Sequence, residues 1–279
     1  LSQRKSIRDW TATSISDNLM RTICKNAFSS GFDLSGMTLY CANSTACYRY
    51  DESNDSFTLQ VSGDIRPQLA SVTRMEYIIG APRVLIIVWD NQKLDYPVAY
   101  EKAGIIIQNL YLLAVRHGLG GVSVGSNLHP PGSPGPTEIQ GLMGLSSNLE
   151  PTLLFPVGYP TSPYVTGDLQ PTSGNLPSPL ESDEDILDVF KREKDLVRAW
   201  RNVSLSQQKL SNLLWSMYGY SLLGTEHRTT PSAFGDYGLQ IYVCTTSGVY
   251  NYTPSTHSLT QISSIDKRAT IVTDAEAPT

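Results

Sequence analysis

Two stretches of this chain match each other, and that constrains its organisation more than any single motif. Ser6-Ile7-Arg8-Asp9-Trp10 is paralleled by Leu196-Val197-Arg198-Ala199-Trp200, and Ile15-Ser16 by Leu205-Ser206, both 190 residues on. In the helix expected after each, Met20 and Ile23 fall opposite Leu210 and Leu213. Further along the offset is 202: Leu39-Tyr40 matches Ile241-Tyr242, Tyr48-Arg49-Tyr50 matches Tyr250-Asn251-Tyr252, and Asp64 and Arg66 match Asp266 and Arg268. The second copy therefore keeps 12 residues that the first lacks, around Arg228 to Leu239 (RTTPSAFGDYGL). The first copy, in turn, runs on from about Tyr77 to Tyr159 with no counterpart. An internal repeat reads as a module used twice, here one nearly complete copy and about half of another.

Between the copies lies PTSPYVTGDLQPTSGNLPSPLESDED, Pro160 to Asp185, rich in Pro, Ser, Thr and Gly and without periodicity, the composition of a linker or a wrapping arm. The expected division is residues 1–160, a linker over 161–185, and a partial second copy over 186–279. A half module leaves a sheet edge bare, so either the linker or a second chain is expected to cover it.

The local pattern mixes both element types. Ser16 and Ser206 read as helix N-caps. Arg83 to Trp89 (RVLIIVW) is a continuous apolar run of strand length, the mark of a strand buried on both faces. Tyr100 to His117 reads as the strongest helix, with Ala103, Ile106, Ile107, Leu110, Leu113 and Ala114 on one stripe. Gly118-Leu119-Gly120-Gly121 ends it before a strand at Gly121 to Val124, and Leu153 to Val157 reads as another. The class is α+β.

The motifs in order resemble the nitroreductase-like FMN-dependent oxidoreductases. Arg4-Lys5-Ser6-Ile7-Arg8 with its following aromatic residue resembles the RxSxR opening of that family. Ala103-Gly104, Gln108-Asn109-Leu110, Ala114 and Gly118-Leu119-Gly120 are similar to its AG, QNL and GLG helix and turn, and Phe155-Pro156-Val157-Gly158-Tyr159-Pro160 to its terminal VGxP strand. Pro231-Ser232-Ala233 resembles its PS-S/A loop, and the second copy looks most like the branch with peptide azoline dehydrogenases. The resemblance implies a mixed, largely antiparallel sheet flanked by helices. It also implies an intimate dimer with FMN in the interface, here an internal pseudo-dimer holding one FMN, with a further homodimer open.

Several positions follow as candidate cofactor contacts. Arg4, Ser6 and Arg8, at alternating positions of an extended segment, supply two guanidiniums and a hydroxyl to one face, the donors a flavin phosphate needs; alone, the same segment reads as a solvated basic arm. Gly120 and Gly121 form a cap and turn, and Gly125 and Ser126 are implied at the isoalloxazine edge, small enough for the backbone to approach a flat ligand. Pro231, Ser232 and Ala233 are implied to cover the ligand from the second copy, where Lys194 and Leu196 replace Arg4 and Ser6. The chemistry would belong to the flavin, reducing or dehydrogenating a small organic or modified-peptide substrate, with electrons drawn from NAD(P)H or passed to oxygen. No catalytic side chain stands out: His117, His129, His227 and His257 are scattered and read as structural or surface residues. The Lys-Tyr pair of the azoline dehydrogenases has only Lys93-Leu94 in its place, and no cation follows the VGxP strand. The alternative is a degenerate module of the same fold that binds without catalysing.

Other classes fall away. A formal charge of -5 leaves no basic stripe for nucleic acid. The apolar runs are too short for a membrane span, and LSQRKSIRDW has no signal-like apolar core. Cys24, Cys41, Cys47 and Cys244 form no metal-type spacing and read as reduced thiols of a cytoplasmic protein.

Overall fold

The computed structural model describes residues 3–29, 32–162, 164, 174–180, 205–221, 227–232 and 235–271. It falls into two compact units, residues 4–164 with 184–200, and residues 1–3, 165–183 and 201–279.

The first unit is built around β4 (Arg83–Asp90), every residue of which is buried. Alternate side chains leave a strand on opposite faces, so Leu85, Ile87 and Trp89 enter one core and Val84, Ile86 and Val88 another. The strand order is β3 (Ser56–Ser62), β2 (Ala46–Asp51), β1 (Met37–Ala42), β4, β6 (Leu149–Gly158), β5 (Gly120–Gly121). Each of these pairings is antiparallel. The first core joins the sheet to α1 (Asp17–Ala27) and α3 (Tyr96–Arg116) through Met20, Ile23, Ile106, Leu110 and Phe155. The second joins it to α2 (Arg66–Thr73) and α4 (Pro134–Met143) through Leu69, Ile139 and Leu154. The result is α+β, with a largely antiparallel sheet between helices.

Some boundaries differ from the sequence expectation. Helix α3 starts at Tyr96 rather than Tyr100, because Pro97 occupies its first turn, where the missing N–H costs nothing. Strand β5 stops at Gly121; beyond it only Val124 makes a bridge, to Leu154. Strand β6 extends back to Leu149 through Pro151, which lies at the register shift opposite Ile87 and Val88, where a missing ladder donor is tolerated. Ser16 caps α1 as expected, accepting from the Leu19 N–H, and the buried Arg83 binds Ile15 O and Asp17 Oδ1 beside it.

In the second unit, α5 (Gln207–Tyr218) is capped by Ser206, and β7 (Ile241–Thr245), β8 (Gly248–Thr253) and β9 (Ser258–Ser263) form an antiparallel meander. Its local devices recur from the first unit at an offset of 202. The ladder shifts register at Cys47/Tyr48 and again at Val249/Tyr250. The Tyr50 hydroxyl bonds Asp55, and that of Tyr252 bonds His257, both at 2.9 Å. Asp55 and His257 share a left-handed backbone, φ 48 and 50, and Arg66 grips Asp64 as Arg268 grips Asp266. In α5, however, the buried face is Ser211, Leu214, Trp215 and Tyr218, one position later than the expected match; Leu213 is 49% exposed. Ser211 takes the inner place because its hydroxyl has two buried partners, Pro177 and His257. The part of the second copy before Leu205 lies outside the described residues.

The expected cover for the second sheet comes from the linker. Asn175 donates to Leu259 O and accepts from the Leu259 N–H, both at 2.8 Å, so its amide pairs with the backbone of edge strand β9 as a neighbouring strand would. Leu176 packs against Leu214 and Tyr252 below it.

His257, 2% exposed, is held by hydrogen bonds on both ring nitrogens. Ser211 donates to Pro177 O, so its oxygen accepts from Nε2–H, and Tyr252 donates to Nδ1. That arrangement suits a neutral ring. Burial holds the imidazole below its ordinary 6.5, a backbone contact at Pro177 partly opposing. The unfolded chain takes up a proton there that the folded one refuses, so this stability is whole above 6.5 and is lost as the pH falls below it. Urea unfolding from about pH 7 to about pH 5 is expected to show a falling midpoint for the second unit. His257→Asn, which tolerates the positive φ, is expected to reduce that dependence by up to one proton.

Candidate functional site

The N-terminal arm is seated by glycines. Ile7 N–H donates to Gly121 O at 2.9 Å, the Trp10 indole N–H to Gly120 O at 2.7 Å, and Thr11 N–H to Tyr159 O at 2.8 Å. A Cβ on Gly120 would overlap Ile7, and one on Gly158 would come within 2.8 Å of the Trp10 ring. On Gly121 it would meet the Phe155 ring at 2.6 Å. The smallness of Gly120 and Gly121 thus admits the arm and the β6 side chains.

Along the arm, aromatic residues meet Arg4, Ser6 and Arg8. Arg4 is 2% exposed, its guanidinium 5.1 Å from the Tyr111 ring centroid. The Ser6 hydroxyl lies 3.3 Å from the Tyr111 hydroxyl, which accepts the Ser123 N–H at 2.9 Å. Arg8 is exposed and lies 5.8 Å from the Tyr77 ring centroid. Burial raises the phenols of Tyr77 and Tyr164, and Arg8 and Arg4 respectively oppose the shift. Arg4 and Ser6 thus share Tyr111 while Arg8 meets Tyr77, and neither tyrosine was among the expected residues. Tyr111 was legible in principle: it lies on the buried stripe of α3 three positions after Gln108.

Gly125 and Ser126 follow the Val124 bridge, both half-buried. A Cβ at Gly125 would come within 2.7 Å of His129 Nε2, so its missing side chain also makes room for an imidazole. Pro231 and Ser232 belong to the second unit, and the Ser232 hydroxyl donates to Asp236 O at 2.5 Å, closing its own turn. Ala233 lies outside the described residues, as do Lys194 and Leu196. Nearby, the Arg228 guanidinium sits 4.2, 5.2 and 4.7 Å from the ring centroids of Tyr218, Tyr220 and Tyr237, anchoring the stretch that the first copy lacks. Lys93 pairs with Asp90 at 3.2 Å. A separate cavity of about 420 Å³ opens by Phe28, Thr38, Arg49, Tyr50 and Glu52, and none of the expected residues lines it. Among the described residues no group of His, Cys, Asp or Glu is arranged to hold a metal, and no helix is long and apolar enough to cross a membrane.

The nitroreductase family model matches residues 1–159, more than half of the chain, and the chain belongs to that family. Among solved structures it is similar to the NADPH:FMN oxidoreductase from Vibrio harveyi complexed with NAD+, at 21% identity and TM-score 0.44, covering 67% of this chain and 79% of that one. It is also similar to an FMN-dependent nitroreductase from Clostridium difficile R20291, at 17% identity and TM-score 0.44, covering 58% of this chain and 86% of that one. No curated protein matches the chain.

The seating of the arm is directly testable. Gly120→Ala places a methyl against Ile7, and the arm is expected to lift, exposing the buried Trp10. Trp10 fluorescence should move to the red and cleavage by trypsin after Arg8 should quicken, with the far-ultraviolet circular dichroism kept.

Proposed function

We propose that the chain is an FMN-dependent oxidoreductase that takes electrons from NAD(P)H and passes them to a small organic acceptor, binding one FMN per chain. The observation that carries the reading is the convergence of Arg4 and Ser6 on Tyr111, with Arg8 four residues beyond Arg4 at the exposed end of the same arm. An FMN tail is a ribityl chain of hydroxyls ending in a phosphate. It calls for fixed cations at one end and hydrogen-bonding hydroxyls along its length. Two guanidiniums with the hydroxyls of Ser6, Tyr111 and Ser123 form such a donor set, so the residues present fit the group.

In this reading Arg8 and Arg4 hold the phosphate end, Ser6 and Ser123 serve the ribityl hydroxyls, and the backbone at Gly125 and Ser126 borders the ring. The bound flavin supplies the hydride chemistry; the protein binds and orients it. Family membership and the order of the matched motifs support the cofactor. The devices shared at an offset of 202, the register shift, the left-handed Asp55 and His257 and the Arg-Asp grips, support the reading of the second unit as a partial copy of the first. The substrate class is a small organic molecule or a modified peptide, reduced or dehydrogenated through the flavin.

Flavin binding tests this without assuming a substrate. Titration of the chain with FMN is expected to quench flavin fluorescence and saturate at one FMN per chain. Arg8→Ala, at an exposed position, should weaken FMN by about tenfold or more, the size of one lost charge-assisted hydrogen bond, while leaving riboflavin affinity unchanged. Equal losses for both ligands, or no binding of either, would overturn the reading.

A further inference from the structure

A second polar cluster lies next to Gly125, and the reading above gives it no task. Tyr100, in the second turn of α3, places its hydroxyl 2.5 Å from His129 Nδ1, with the two rings 4.6 Å apart. Tyr96 packs on Tyr100, their rings 4.4 Å apart. The same Tyr100 hydroxyl reaches Leu128 O at 3.3 Å. On the other edge of the imidazole, Nε2 sits over Gly125, where a Cβ would come within 2.7 Å of it. His129 nevertheless keeps an exposed edge toward solvent.

This geometry allows the ring to change charge without losing a hydrogen bond. When the ring is neutral with its proton on Nε2, the Tyr100 hydroxyl donates to Nδ1. When it is an imidazolium, Nδ1–H donates to the Tyr100 oxygen, and the tyrosine's own proton turns to Leu128 O. A phenol between a ring nitrogen and a carbonyl therefore serves both states, whereas the buried His257 is bonded in a way that suits only the neutral ring. Of the two nitrogens, Nε2 is the one facing the Gly125 backbone.

We propose that His129 is the proton donor of the acceptor half of the reaction, delivering from Nε2 beside Gly125, with Tyr100 as the residue that positions it. The inference rests on the proposed flavin reading, which sets the Gly125 and Ser126 backbone at the reacting ring. Two-electron reduction of a quinone or nitro group needs a hydride equivalent and one proton. The electron pair comes from the reduced flavin; the Nε2–H bond of the imidazolium breaks, an O–H bond forms on the acceptor, and the ring is left neutral. Solvent returns the proton through the exposed edge.

Tyr100 from α3 faces the ring; Tyr96 packs on Tyr100, and Glu150 from β6, whose Oε1 accepts the Gly132 N–H, acts on the Tyr100 phenol. Burial lifts the Tyr100 phenol to about 12, with Thr152 opposing and Tyr96 and Glu150 adding, so it stays a protonated, switchable partner. Burial also holds His129 below its ordinary 6.5. Protonated His129 is therefore scarce at neutral pH and a stronger acid when it forms, and the step it serves slows as the pH rises.

The test uses the full chain. In the flavin-free protein, nitrogen-proton correlation spectra of His129 should show a titration below 6.5. Tyr100→Phe, which removes the acceptor of the charged form's stronger bond, should lower that titration further. With FMN bound and reduced by dithionite, rapid mixing with menadione should give reoxidation that slows with rising pH through the same value. His129→Gln should slow it about tenfold or more at low pH and flatten the profile, leaving FMN affinity and reduction by NADPH unchanged. A His129 that does not titrate, or a variant with the wild-type profile, overturns this inference alone. A chain that binds no FMN overturns it together with the flavin reading.

Discussion

The first unit depends on a close approach of backbones that side chains would forbid. Gly120 and Gly121 pair with the end of β6 and accept the indole and amide hydrogens of the arm, while Gly158 leaves room for the Trp10 ring. Hydrogen bonds at 2.7 to 2.9 Å require the strands to be within that reach. The contact locks Ile7 and Trp10 in place, and with them the arm that carries Arg4, Ser6 and Arg8. The seating of these residues thus depends on three missing side chains.

The cationic face is built on aromatic rings. Arg4 lies over Tyr111 and Arg8 beside Tyr77, so the cations are held by π faces and hydroxyls. A ring face fixes the place of a guanidinium without neutralising its charge. Tyr111 acts as the hub: its ring carries Arg4, its hydroxyl meets Ser6 and Ser123, and its edge packs on Phe155 at 5.0 Å. Site and core therefore share one side chain, and a change at Tyr111 would disturb both.

The second unit reuses small devices from the first on different support. Tyr252 and His257 stand where Tyr50 and Asp55 stand, and the same left-handed turn brings each pair together. At His257 the imidazole also bonds Ser211 on the neighbouring helix, which lies on the buried face of α5 with Leu214, Trp215 and Tyr218. On the outer side of β9 the Asn175 amide bonds Leu259, with Leu176 packed beneath. A short strap thus meets the edge strand as a neighbouring strand would.

The sequence by itself determined what local chemistry can determine: Ser16 and Ser206 as caps, RVLIIVW as a strand buried on both faces, the glycine stop after α3, and the order of motifs that marks the family. It also singled out Arg4, Ser6 and Arg8 as a cluster of donors near the N-terminus. Tertiary structure alone decided which side chains meet them. Tyr77 and Tyr111 are more than 60 residues from the arm, and Tyr100 and His129 are 29 residues apart, so no periodicity links them. Such pairs are set by how helices α3 and the β5–α4 segment pack on the sheet. The same holds for Gly125, whose sequence context announces a tight backbone but not that an imidazole fills the space.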